Sequence, residues 1–293
     1  MDELILPKHG RYDYSPIIRR PRFRWPEGKK LALYFALGLE TYAFGEGLTE
    51  NLVVGMPPPD VLNHSWREYG NRVGAWRVID LFARQKIPLS ILLNSAVCEE
   101  APELIDACTA QGCEMVAHGY SNSETMAGMA ERPQLEYLRK VSTQIARATG
   151  RAPEGWASPW LAETLQTPDL LQESGYSYLL DWCMDDQPVW MKTRTGSILS
   201  VPYTQELNDS SAIIGRQVDA ADFADMIVDQ FDEMRETEDD QALVMSVVLH
   251  SFIIGQPFRL RAFRRAVQHI LKDQANVWIT TPGAIARYFR TLP

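Results

Sequence analysis

The chain has few cysteines and no paired ones: Cys98, Cys108, Cys113 and Cys183 are the four among 293 residues, and none sits at Cys-x-x-Cys spacing. A zinc ribbon and a disulfide-stapled fold are therefore excluded, and reduced, buried thiols are expected. A basic excess is missing as well. The formal charge of −9 at pH 7 and the pI near 5.2 leave no positive stripe for nucleic acid or an anionic membrane surface, which argues for a small or uncharged substrate. No apolar stretch approaches the ~20 residues of a membrane span, and the N-terminus lacks a secretory apolar core, so a cytoplasmic protein is expected. There is no Gly-x-Gly-x-x-Gly, phosphate loop or Gly-x-Ser-x-Gly elbow, so dinucleotide, nucleotide and serine-esterase chemistry lose their usual signatures. Hydrolysis without a stored cofactor remains.

What is present is an α/β pattern. Short apolar runs at 31–38, 87–94, 113–117, 155–158, 176–181, 198–202, 243–249 and 276–280 read as strands, with helical segments between most of them. Such alternation implies a parallel sheet, and eight strands in this length imply a closed or nearly closed barrel with ligands at the carboxyl ends. Thr167-Pro168-Asp169 and Thr281-Pro282-Gly283 read as helix starts. Phe223, Met226, Ile227, Phe231 and Met234 share one helical face, and Leu135, Leu138, Val141 and Ile145 another; both are core faces. The charged run 233–240 reads as a solvated helix end and loop. Residues 1–29 carry Pro7, Pro16, Pro21 and Pro26 among Tyr12, Tyr14, Phe23 and Trp25, a composition that blocks helices and supplies anchors; an ordered arm is expected, followed by one catalytic domain over 30–293. The 43–65 loop, rich in Gly and Pro, has the length of a lid or binding element.

Three of the apolar runs end in side chains that move protons or bind metals: Glu40, His118 and His250. With only five histidines in the chain, two at strand ends are informative. A carboxylate and a histidine around one water form a hydrolytic site, either by general-base attack or around a metal. Glutamate would suit the base role if burial raised its pKa toward neutrality. Metal would need a third ligand, and the residue four places after His118 is Asn122, a poor one for zinc. Around this centre, Arg72 offers a fork for a carboxylate or carbonyl, or a partner for an acid of the protein. Trp160 and Trp182, each after a strand-like run, offer pocket walls. Asp185 or Asp186 offers an orienting carboxylate or a turn cap, and the Glu206–Asp209 segment is a further polar rim.

The chain resembles the polysaccharide deacetylase (NodB homology) superfamily, and within it the intracellular branch of allantoinases and cyclic imide hydrolases. The resemblance rests on Arg11-Tyr-Asp-Tyr-Ser-Pro16, Arg24-Trp-Pro-Glu-Gly28, Leu37-Gly-Leu-Glu40, Tyr69-Gly-Asn-Arg72, His118-Gly-Tyr-Ser-Asn-Ser-Glu124, Leu180-Asp-Trp182, Asp185-Asp-Gln-Pro188 and His250-Ser-Phe-Ile-Ile-Gly-Gln-Pro257. It implies a distorted (β/α) barrel of about seven parallel strands and a homotetramer. It also implies hydrolysis of a carbon–nitrogen bond in a small cyclic ureide or imide, with Glu40 and His118 acting on water and His250 protonating the departing nitrogen. Substrate contacts would come from Arg72, Asn122, Trp160, Trp182 and Asp185. The superfamily's metal-dependent deacetylases carry an Asp-Asp pair and a His-x-x-x-His segment where this chain has Leu39-Glu40 and His118-x-x-x-Asn122, so no bound metal is expected. If one binds, Glu40 and His118 would be its ligands. The alternatives are a zinc-dependent deacetylase of an N-acetylated sugar or amine, and a barrel that has lost catalysis and serves as a binding scaffold.

Overall fold

The computed structural model describes residues 6–237 and 241–293. Its centre is a curled sheet of nine strands: β1 (Leu31–Leu39), β2 (Ser90–Leu93), β3 (Glu114–Ala117), β4 (Gly155–Trp156), β5 (Tyr178–Leu179), β6 (Val189–Thr193), β7 (Gly196–Ser200), β8 (Leu243–His250) and β9 (Val277–Thr280). The spatial order is β6-β7-β5-β4-β3-β2-β1-β8, with β9 also paired to β1. Every pairing is parallel except the β6–β7 hairpin. All eight expected strands are found within a few residues of their predicted limits. The ninth, β6, escaped because it is an edge strand with only Met191 fully buried, and a sheet edge needs no apolar alternation.

β1 sets the geometry. Its nine residues are all buried, and side chains alternate between two faces. Leu31, Leu33, Phe35, Leu37 and Leu39 pack beneath the helices. Ala32, Tyr34 and Ala36 face the inside of the curl, beside Val116, Leu92, Val244 and Val248 of neighbouring strands. Carried forward in steps of two, that interior face reaches Gly38 and then Glu40. The same count takes Leu92 to Asn94, Val116 to His118 and Val248 to His250. Four polar side chains thus emerge inside the same rim of the sheet, because period 2 and parallel direction leave no other choice.

The arm closes the structure elsewhere. Trp25 is 1% exposed within the interior cluster and donates its indole N–H to the Leu243 carbonyl at 2.8 Å. Arg11 forks onto Asp169 at 2.8 and 2.7 Å. The helix faces match expectation: Phe223, Ile227, Phe231 and Met234 are buried in helix Ala220–Thr237, and Leu138, Val141 and Ile145 in helix Glu131–Thr149. Of the charged run 233–240, the part through Thr237 ends that helix, and residues 238–240 lie outside the described residues. Thr281 caps helix Pro282–Phe289 by accepting from the Ala284 N–H. Thr167 is instead the first residue within its helix, and its hydroxyl accepts from the Thr164 N–H at 2.8 Å, a local bond that competes with capping. The four thiols are free. Among the described residues no helix is long and apolar enough to cross a membrane.

Candidate active site

Glu40, His118 and His250 converge at the carboxyl ends of β1, β3 and β8. One oxygen of Glu40, Oε1, lies 3.5 Å from His118 Nε2 and 3.4 Å from His250 Nε2. The other, Oε2, accepts from the Tyr42 hydroxyl at 2.6 Å. Pairing of Gly38 with His250 across β1 and β8 sets the spacing. Gly38 also has a steric reason: a Cβ built there would lie 2.8 Å from Glu40 Oε1, because the carboxylate folds back over its own strand.

The two imidazoles are oriented differently. His118 Nδ1 is 2.7 Å from the Ala157 carbonyl; a carbonyl only accepts, so Nδ1 bears a hydrogen and Nε2 is the nitrogen turned toward the site. His250 Nδ1 is 2.7 Å from Asp209 Oδ1, and the His250 backbone N–H also donates to that carboxylate at 3.0 Å. Burial alone would lower the His250 pKa, but the charge of Glu40, the hydrogen bond and charge of Asp209 and the charge of Glu50 outweigh it, raising it to about 10. Burial alone would raise that of Glu40; the charge of His250 foremost, with the neighbouring His118 imidazole and the hydrogen bond from Tyr42, outweighs it, lowering it to about 2. The condition under which Glu40 would itself suit the base role, a pKa raised by burial, is not met: two imidazoles within 3.5 Å pull it the other way. At neutral pH the site holds a carboxylate and an imidazolium.

Asn94, at the end of β2, ties the rim together. Its side chain accepts from the Thr41 N–H at 3.0 Å and donates to Asn122 Oδ1 at 3.0 Å and to the His118 carbonyl. Asp181, after β5, accepts from the Ser158 N–H and hydroxyl, both at 2.6 Å. Asn94 and Asp209 were missed as site residues. Asn94 carries the same signal as Glu40, a polar residue closing an apolar run, while Asp209 sits in the polar rim segment and follows no strand that would aim it.

Glu40, His118, Asn122, Trp160 and His250 line one cavity of about 360 Å3, with Glu50, Ser158, Tyr203 and Ser210. Trp160 is held over it by a 2.7 Å bond from its indole N–H to the Asn122 carbonyl. Other expected contacts lie elsewhere. Arg72 borders a second cavity of about 420 Å3 that shares Glu40 but neither His118 nor His250. Trp182 does not border the catalytic cavity; it packs against Tyr12 and His9 of the arm at 5.7 and 5.2 Å and donates to Glu163 at 2.8 Å. Asp185 is held by both Nη atoms of Arg20, so its charge is spent pinning the arm. The reason is topological: Asp181 to Pro188 runs from the rim toward the sheet edge, where the arm covers it.

The residues fit a tightly held metal poorly. Asn122 stands where a second histidine would be needed, and its oxygen is already taken by Asn94. Among the described residues no group of three or more His, Cys, Asp or Glu is arranged to hold an ion.

Residues 68–179 match the polysaccharide deacetylase family model. The fold superposes on the crystal structure of PuuE allantoinase with a TM-score of 0.81 and 29% identity, covering 95% of this chain and 98% of that one. It superposes equally, at 0.81 and 28% identity over 95% and 99% of the two chains, on a structure from Pseudomonas aeruginosa described as a probable polysaccharide deacetylase. The peptidoglycan deacetylase of Helicobacter pylori is 24% identical over 245 residues, 72% of this chain and 82% of that protein. The matched segment, which spans β2 to β5 and His118 itself, identifies a polysaccharide deacetylase (NodB) domain in this chain, and the likeness to both structures extends over nearly its whole length.

Proposed function

We propose that the chain hydrolyses the amide bond of a small cyclic ureide or imide, without a tightly bound metal. The observation that carries this reading is the unequal support around Glu40: its carboxylate lies between two imidazole Nε2 atoms, one on a histidine whose far nitrogen binds the neutral Ala157 carbonyl and one on a histidine whose far nitrogen binds the Asp209 carboxylate. A cavity of about 360 Å3 is at the small end of ligand sites, ~300–1,000 Å3, which suits a five-membered ring better than a polymer. Likeness to an allantoinase over 95% of the chain supports the same class.

In this reaction a water attacks the ring carbonyl while His118 Nε2 takes its proton. Glu40 orients the water and stabilises the positive charge that develops on His118. The carbon–nitrogen bond breaks, the electron pair goes to nitrogen, and His250 Nε2 donates the proton that nitrogen needs. The base then returns its proton to His250 through the site, and one water has been consumed. Asp209 keeps His250 oriented and charged, as the carboxylate does in other acid–base pairs. A homotetramer, which the resemblance implies, belongs to the same proposal, with solution mass by light scattering as its measure.

The test is turnover of hydantoin, succinimide and N-acetylglucosamine by chelator-treated protein. Ring opening at an unchanged rate is expected. Activity that disappears with chelator and returns with zinc, or that falls on the N-acetyl compound alone, would establish the metal-dependent deacetylase instead.

A further inference from the structure

The 43–65 loop delivers a second carboxylate to the catalytic cavity. Glu50 is 9% exposed and borders the same cavity as Glu40, His118 and His250. The Ser210 hydroxyl donates to Oε1, and among the described residues no group donates to Oε2, which is not among the sealed polar atoms. Among the described residues no lysine or arginine side chain forms an ion pair with the carboxylate. The loop nevertheless holds it firmly. Buried Arg67 donates to the Glu50 backbone carbonyl and lies 4.9 Å over the ring of Tyr42, whose hydroxyl binds Glu40.

Burial raises the Glu50 pKa, and neighbouring Glu40 and Asp209 add to this against the opposing pull of His250 and Ser210. Crowding an acceptor beside two other carboxylates costs free energy that a donor entering the cavity would offset. An ionised carboxylate only accepts hydrogen bonds, so the group that Oε2 suits is a donor on the substrate.

We infer that Glu50 sets substrate choice by accepting a hydrogen bond from a ring N–H outside the scissile bond, which makes the substrate a cyclic ureide in preference to a plain imide. This rests on the ring-opening reading above. Hydantoin and succinimide isolate the point, because hydantoin carries an N–H where succinimide carries a methylene and the rings are otherwise alike. A site built around an N–H discriminates strongly against the analogue without it, since its own acceptor is left unpaired.

The experiment compares kcat/KM for hydantoin and succinimide in the wild type, Glu50→Gln and Glu50→Leu, with thermal unfolding of each variant. Arg67 grips the Glu50 backbone, so both variants retain that contact. Expected is a wild-type preference for hydantoin whose kcat/KM ratio to succinimide falls roughly tenfold to a hundredfold in Glu50→Leu, and less in Glu50→Gln, beyond the loss both rings share because Glu50 also supports the charge of His250. Equal losses on both rings, or a wild type indifferent to them, would overturn the role of Glu50 and leave ring opening standing. Turnover of neither ring by folded wild type would overturn both.

Discussion

The two histidines that flank Glu40 differ in what holds their far nitrogen. Both sit at the end of a parallel strand, both are buried, and both present Nε2 to the same oxygen at 3.4–3.5 Å. Behind His250 stands the carboxylate of Asp209, itself 0% exposed; behind His118 stands the neutral carbonyl of Ala157. A negative partner stabilises the imidazolium, whereas a carbonyl fixes the tautomer without contributing a full charge. The two imidazoles are made unlike by their supporting contacts rather than by the histidines themselves, and the proposed acid and base roles rest on that difference.

Replacing what the two sides share should have the largest effect. Glu40→Gln keeps the shape and removes the charge that both imidazoles face. A loss of about 10²–10⁴-fold in kcat/KM on a cyclic amide is expected, together with a lower alkaline pKa in the rate profile, since Glu40 is the first of the groups that raise His250. A variant with a full rate would reduce Glu40 to a structural charge.

Moving the carboxylate without discharging it comes next. Gly38→Ala places a methyl 2.8 Å from Glu40 Oε1, and the flexible side chain rather than the strand should give way. Loss of the bridging position should cost about 10²-fold in kcat, because displacement of a reacting group by about 1 Å costs that much. The thermal midpoint should change little, since only a side chain is displaced. Unfolding at a much lower temperature would mean that the strand had moved instead.

The candidate centre was legible in the sequence because it obeys period 2: Glu40, His118 and His250 each end a run whose alternate residues face the interior of the curl, and the three converge on one cavity. Asn94 follows the same rule and could have been read from Ile91-Leu-Leu-Asn94. Asp209 and Glu50 obey no period, for they come from a loop and a short turn placed by tertiary packing. Trp182 and Asp185 show the opposite error. Proximity to a strand end in sequence suggested the pocket, yet the N-terminal arm, joined through Tyr12 and Arg20, claims both. Long-range contacts of an irregular segment leave no local pattern. Likewise the sign of the Glu40 shift depends on which neighbours surround it, and no sequence pattern names them.

The finest test changes only the support behind one histidine. Asp209→Asn keeps an acceptor for the Nδ1 hydrogen of His250 but removes its charge. At neutral pH the expected loss is modest, because Glu40 still favours the imidazolium. The alkaline limb of kcat/KM, which in the wild type should follow the His250 pKa of about 10, should move toward neutrality. At a pH one unit above the new value only about a tenth of the acid would remain, so the loss there should be roughly tenfold. Stability should move with it. The folded-state pKa of His250 lies above its ordinary 6.5, so proton binding favours the folded chain. That contribution is full below pH 6.5 and is lost as pH rises through 10. In Asp209→Asn the contribution should be smaller and its loss complete at a lower pH, as urea midpoints measured between pH 6 and 10 would show. His118→Gln, which leaves Asp209 and His250 in place, should lower the rate without moving the alkaline limb downward to the same extent. If the two variants shifted that limb equally, the different supports of the two imidazoles would not be what separates acid from base.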